Sequence, residues 1–118
     1  FNTNSKAISK NQLEKILKFK KFKNYELISG NVFNTLEPFL IKNSKKKFSY
    51  VLMDLDVMEP TIYVLKKIFP LVERNGVIIL DNYNVIKGET KAIKTFIKEN
   101  KIKLNKINYL KNFYYISK

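Results

Sequence analysis

Cysteine and histidine are both absent from this 118-residue sequence. Lack of cysteine excludes disulfides, thiolate nucleophiles and cysteine metal sites. Lack of histidine removes the commonest general base and metal ligand. Catalysis would have to run on carboxylates, lysines, tyrosines or a borrowed cofactor. Glycine occurs only at positions 30, 76 and 88, so there is no glycine-rich loop to cradle a phosphate. No apolar run approaches the roughly 20 residues of a membrane span, and no signal peptide opens the sequence. The expectation is a soluble, cytoplasmic protein with no membrane partner. Its length allows one domain, small for a complete α/β enzyme.

Acidic residues are also scarce. Ten of them face 23 basic ones, 22 lysines and a single arginine, for a formal charge of +13. Such a charge admits a non-catalytic basic module that binds nucleic acid or an acidic partner. Against nucleic acid stands the near absence of arginine, whose planar fork grips phosphates and base edges. The lysines are spread over nearly every segment, and 14 asparagines accompany them. That pattern fits compositional drift toward Lys, Asn and Ile.

The informative stretch is 48–84, FSYVLMDLDVMEPTIYVLKKIFPLVERNGVIILDNYN. An apolar run, Tyr50-Val51-Leu52-Met53, stops at Asp54 and Asp56. A second run, Val77-Ile78-Ile79-Leu80, stops at Asp81-Asn82. Short apolar runs bounded by turn signals suit strands buried on both faces. Between them Thr61, Val64, Leu65, Ile68, Phe69 and Val72 trace one helix face. Pro70 should bend or tighten that helix, and Asn75-Gly76 should stop it. The unit reads as strand, crossover helix, parallel strand. In such sheets ligands bind beyond the carboxyl ends of the strands, and all three aspartates of the chain lie there.

The remaining segments extend this pattern. Residues 1–11 read as a polar loop, and 12–23 as a basic amphipathic helix through Leu13, Ile16, Leu17, Phe19 and Phe22. Residues 25–29 (YELIS) read as a short strand ended by Gly30-Asn31. A helix over 34–42 follows, with Pro38 in its first turn. Another helix spans 89–100, with Ala92, Ile93, Phe96 and Ile97 inward. Two β-like stretches, 102–110 and 112–117, form a hairpin about Lys111-Asn112. The expected fold is α/β, a mostly parallel sheet with an antiparallel terminal hairpin.

DLDVMEPT after the first apolar run, NGVIILDNYN around the second, SGNVFNTLEPFL before them and GETKAIKTFI after them together carry a resemblance. The sequence resembles the macrocin-type sugar O-methyltransferases, a branch of the class I S-adenosylmethionine-dependent enzymes. It departs from their pattern at Met58, where the family commonly has Tyr, at Asn75 in place of Gly, and at Asn82 in place of a second Asp. The glycine-rich turn and ribose-binding acid of such enzymes have no counterpart, and Phe1-Asn2-Thr3 reads as a remnant of the loop after their second strand. The resemblance implies the C-terminal portion of a Rossmann-like methyltransferase domain over 1–118, inactive alone, which associates with itself or with a missing N-terminal half. It implies S-adenosylmethionine as cofactor and a small-molecule hydroxyl, such as a sugar, as acceptor. Gly30, Asn31 and Val32 would border the adenine.

Asp54, Asp81 and the Asn82 side-chain oxygen offer hard donors for Mg2+, and by resemblance they match the family's metal positions. Asp54 and Asp56 are the catalytic candidates, Asp56 to hold an acceptor hydroxyl or take its proton. Glu59 is a second candidate base, although an acid at a helix start also complements the helix dipole. The plainer reading is that such acids simply cap the next helix and tolerate exposure at a strand end. A different nucleotide-using α/β domain stays open, since fold alone does not decide function.

Overall fold

The computed structural model describes residues 7–81, 83, 87–111 and 113–118, with the backbone alone for Gly88 and Glu89. The expectations on Phe1-Asn2-Thr3, Asn82 and the Asn112 half of the hairpin turn fall outside the described residues. The chain divides into one compact unit ending at Asn31 and a larger one, Val32–Lys118.

In the first unit, helix α1 (Lys10–Phe19) starts two residues earlier than the apolar spacing suggests. The cause is a capping box at Ser9. The Gln12 backbone N–H donates to Ser9 Oγ at 3.1 Å, and the Ser9 N–H donates to Gln12 Oε1 at 2.9 Å, which satisfies two orphan donors of the first turn. Residues 25–29 form no strand. Their apolar alternation specifies two faces, but a ladder also needs a neighbouring strand, and no described strand takes them into the sheet.

The larger unit holds α2 (Val32–Lys42), β1 (Phe48–Met53), α3 (Met58–Ile68), β2 (Val72–Leu80), α4 (Lys87–Asn100), β3 (Leu104–Lys106) and β4 (Tyr114–Ser117). The four strands form one sheet in the order β1-β2-β4-β3. Only β1 and β2 run parallel; β2–β4 and β3–β4 are antiparallel. The class is α/β as expected, but the sheet is not mostly parallel. The terminal hairpin supplies half of its strands, and reversed strands pair antiparallel by construction.

The core lies on one side of this sheet. Met53, Ile78, Leu80 and Ile116 point into it from the strands and meet Val64, Leu65 and Ile68 of α3 and Ile93 and Phe96 of α4. Val32, Leu36 and Leu40 of α2 pack against the same cluster. Each fully buried aliphatic or aromatic side chain here contributes about 1.5–3 kcal/mol. Phe96 also meets Phe69 edge to face, ring centres 5.5 Å apart.

Two prolines act differently from each other. Helix α2 begins at Val32, so Pro38 lies inside it rather than in its first turn. Pro70 ends α3 in a short 3-10 turn, Phe69–Leu71, the tightening its missing N–H requires. That turn is tied down from the far end of the chain, where Lys118 Nζ donates to the carbonyls of Phe69 and Pro70 at 3.1 and 3.0 Å.

Asn75-Gly76 does not stop the helix. Both residues lie inside β2, and the pairing with β1 jumps there, from Phe48↔Val72 to Tyr50↔Val77. Asn75 takes the left-handed conformation (φ 67°), and its N–H turns to the Lys118 carbonyl at 2.8 Å. The extra residues kink the strand in the manner of a bulge. A Cβ on Gly76 would sit 2.9 Å from the Glu73 carbonyl and 3.1 Å from that of Phe48, so close packing of backbone requires glycine.

Candidate functional site

β1 and β2 end level with each other. Met53 pairs with Leu80, and one step further the Asp81 N–H donates to the Met53 carbonyl at 3.1 Å. The buried residues Met53 and Leu80 anchor both strands, so the next side chains, Asp54 and Asp81, emerge together at the edge of the core. Asp54 is exposed and Asp81 half-buried.

Asp56 joins them from the loop before α3. Its backbone is left-handed, φ 62°, a conformation aspartate tolerates better than most residues. Val57, not Asp54 or Asp56, is the N-cap of α3, and no side chain caps it. The Thr61 hydroxyl instead donates to the Val57 carbonyl at 2.6 Å and closes the first turn from within. Capping of α3 therefore does not account for either aspartate. Glu59 lies in the first turn of α3, exposed, where its charge complements the helix dipole.

The grouping of carboxylates shows in the acidity of Asp54. Its pKa is raised above the ordinary 3.8, first by desolvation, then by the charges of Asp81 and Asp56, and by hydrogen bonds shared with both. When protonated, Asp54 donates to its neighbours; when all three ionise, they repel.

Of the expected site residues, the structure thus brings Asp54, Asp56 and Asp81 together. Asn82 lies outside the described residues. Gly30 and Asn31 close the first unit, Gly30 with φ 133°, and Val32 opens the second as the first residue of α2. Among the described residues, no three His, Cys, Asp or Glu side chains are arranged to enclose a metal ion. Two converging carboxylates nonetheless suit Mg2+, which keeps several waters and uses one or two protein carboxylates.

One residue that shapes the site was missed in the sequence. Tyr83, two residues past Asp81, is only 6% exposed. Its ring stacks at a tilt of 59° on Tyr114, centres 4.6 Å apart. Burial, then Tyr114, pushes its phenol pKa up. It pins the segment after β2 to β4. The available signal was an aromatic two residues behind a strand-ending acid, which reads equally as a loop residue.

The sequence matches the family described as Macrocin-O-methyltransferase (TylF) over residues 3–115. The chain belongs to the macrocin O-methyltransferase family. Solved structures resemble this macrocin O-methyltransferase family member in fold. The apo structure of CalS11, a TDP-rhamnose 3'-O-methyltransferase in calicheamicin biosynthesis, superposes with a TM-score of 0.70 at 24% identity, covering 77% of this chain and 40% of its own. A second CalS11 structure gives the same TM-score and identity over 36% of that chain. The O-methyltransferase NovP gives 0.56 at 21% identity, over 62% of this chain and 30% of that one. The matched part of this family member therefore spans two fifths or less of each solved chain's length. No curated protein sequence matches it.

Proposed function

We propose that this chain is the acceptor-side, C-terminal part of an S-adenosylmethionine-dependent O-methyltransferase that acts on a sugar hydroxyl in the cytoplasm. The observation that carries the reading is the meeting of Asp54 and Asp81 at the level ends of a parallel strand pair, where α/β sheets bind ligands. Family membership supports methyl transfer, and CalS11, which acts on TDP-rhamnose, supports a nucleotide-linked sugar as acceptor.

Asp54 and Asp81, with Asn82, would hold Mg2+; a cation bound there grips an acceptor oxygen and lowers its pKa. Asp54 and Asp81 would also set where the acceptor sits, at the level ends of β1 and β2. Asp56 is placed to accept the hydroxyl proton as the oxygen attacks the sulfonium methyl. S-adenosylmethionine, when bound, would supply the methyl group from its sulfonium and depart as the neutral thioether, while Asp56 would hold the proton released by the acceptor hydroxyl. Gly30, Asn31 and Val32 are the proposed border of the adenine.

The test is transfer of a labelled methyl group from S-adenosylmethionine to a nucleotide-linked deoxysugar. It should be run on this chain joined to the polypeptide encoded immediately upstream of Phe1. Methyl transfer that depends on Asp54, Asp56 and Asp81 supports the reading. Transfer that survives replacement of all three overturns it.

A further inference from the structure

Leu80, the last residue of β2, lies opposite Tyr114 in the ladder with β4. In a continuing strand Tyr83 would stand about 10 Å beyond that pair, at roughly 3.4 Å per residue. The chain turns instead at Asp81 and Tyr83. The Tyr83 ring then lies against Tyr114 itself, the residue that already faces Leu80, with centres 4.6 Å apart.

Asp81 is thus held between two buried anchors. Leu80 stands directly before it, fully buried, and Tyr83, at 6% exposure, two places after it. Both belong to the core cluster. The support under Tyr83 is firm, because β4 is bonded to β2 on one side and to β3 on the other. A tyrosine that only filled space could stand within the strand, as Ile78 and Leu80 do. Tyr83 stands past the strand end, on the turn that carries Asp81, so anchoring its ring fixes that turn.

We infer that Tyr83 is a positioning residue, whose stack on Tyr114 keeps the Asp81 carboxylate beside Asp54 and so ties the aim of the site to the terminal hairpin of β3 and β4. The catalytic consequence rests on the methyl transfer proposed above; the positioning does not. The ring carries the effect, since tilted aromatic pairs hold one another beyond the area they bury. Tyr83 and Tyr114 act as one unit, so their losses should not add.

Two readouts test it on this chain joined to the polypeptide encoded immediately upstream of Phe1. The first is hydrogen exchange of the Asp81 amide, which donates to the Met53 carbonyl, measured without methyl donor or acceptor. Tyr83→Leu should speed it by about 2- to 10-fold, the range that loss of an aromatic pair allows. Tyr114→Leu, which removes the other ring, should do the same, and the double variant should go no further. Tyr83→Phe should match wild type. Ile93→Val, which loosens the same core from α4, should leave the Asp81 amide unchanged.

The second readout is steady-state methyl transfer to a nucleotide-linked deoxysugar. Tyr83→Leu should lower kcat by about 10- to 100-fold, as small misplacements of reacting groups do, with an unaltered KM for S-adenosylmethionine. Tyr83→Phe should restore kcat, and Ile93→Val should keep it. An Asp81 amide indifferent to both leucine variants overturns the inference. So does equal acceleration by Tyr83→Phe or Ile93→Val, or a wild-type kcat in Tyr83→Leu. Absence of any transfer by the wild-type protein would count against the proposed function alone, and the exchange comparison would then decide the role of Tyr83.

Discussion

The backbone N–H of Asp81 donates to the carbonyl of Met53 at 3.1 Å. This one bond past the last paired residues keeps the two parallel strands in step up to their ends. It is the reason Asp54 and Asp81 sit side by side, although 27 positions separate them in sequence. Loss of register would turn one of the two to the other face.

The proximity of these carboxylates should be visible as a pH dependence of stability. Asp54 has a folded-state pKa raised above 3.8, so between that value and the raised one the folded chain holds a proton that the unfolded chain has released. Stability contributed by Asp54 is therefore present below the unfolded value and is lost as pH rises through the folded one. Asp54→Asn should melt slightly higher than wild type at neutral pH, with the difference vanishing in acid. The effect is small because Asp54 is exposed to solvent screening. Melting curves from acid to neutral pH check it; a variant less stable than wild type at neutral pH contradicts it.

Gly76→Ala should destabilise the larger unit by about 1–3 kcal/mol, the usual cost of overpacking. The added Cβ would meet Val72 Cγ1 at 2.7 Å and two backbone carbonyls at 2.9 and 3.1 Å. The valine can rotate, but the carbonyls are held by the strand pair. Urea denaturation measures the change, and a neutral result would mean that β1 and β2 can separate at the kink.

Phe96→Ala should cost about 3–5 kcal/mol. Phe96 is 2% exposed and braces α4 against the 3-10 turn through Phe69. Ile41→Ala, at 70% exposure, should stay within about 0.5 kcal/mol. Denaturation of both variants gives the contrast; equal losses would place the core elsewhere.

The 118-residue chain by itself should show no micromolar binding of S-adenosylmethionine or its demethylated product by calorimetry. Its three glycines, at 30, 76 and 88, supply no glycine-rich turn to hold the methionine part of the cofactor. A one-site isotherm in that range would mean that this chain carries the whole donor site.

The strand ends were legible because composition changes there abruptly. Tyr50-Val51-Leu52-Met53 and Val77-Ile78-Ile79-Leu80 are apolar, and each is followed at once by aspartate. The role of Asn75-Gly76 was not legible. A left-handed residue serves a helix stop and a strand kink equally, and only the partner strand decides between them. Residues 25–29 carry strand-like alternation, yet no described strand forms a ladder with them, which no local pattern reveals. Ser9 and Gln12 do spell a capping box, but a polar stretch before them hid the helix start. The left-handed backbone that brings Asp56 to the other carboxylates has no sequence signature beyond aspartate's tolerance for it.

The pairing of Asp54 with Asp81 as the seat of chemistry is tested most directly by substitution with binding and transfer read in parallel. The protein is this chain joined to its upstream polypeptide, and the probes are labelled S-adenosylmethionine, a nucleotide-linked deoxysugar and Mg2+. Asp81→Ala should lose methyl transfer and any stabilisation by Mg2+ in thermal melts, yet bind the methyl donor as wild type does. Glu59→Ala should change none of these. Methyl transfer at the wild-type rate by Asp81→Ala would contradict the assignment.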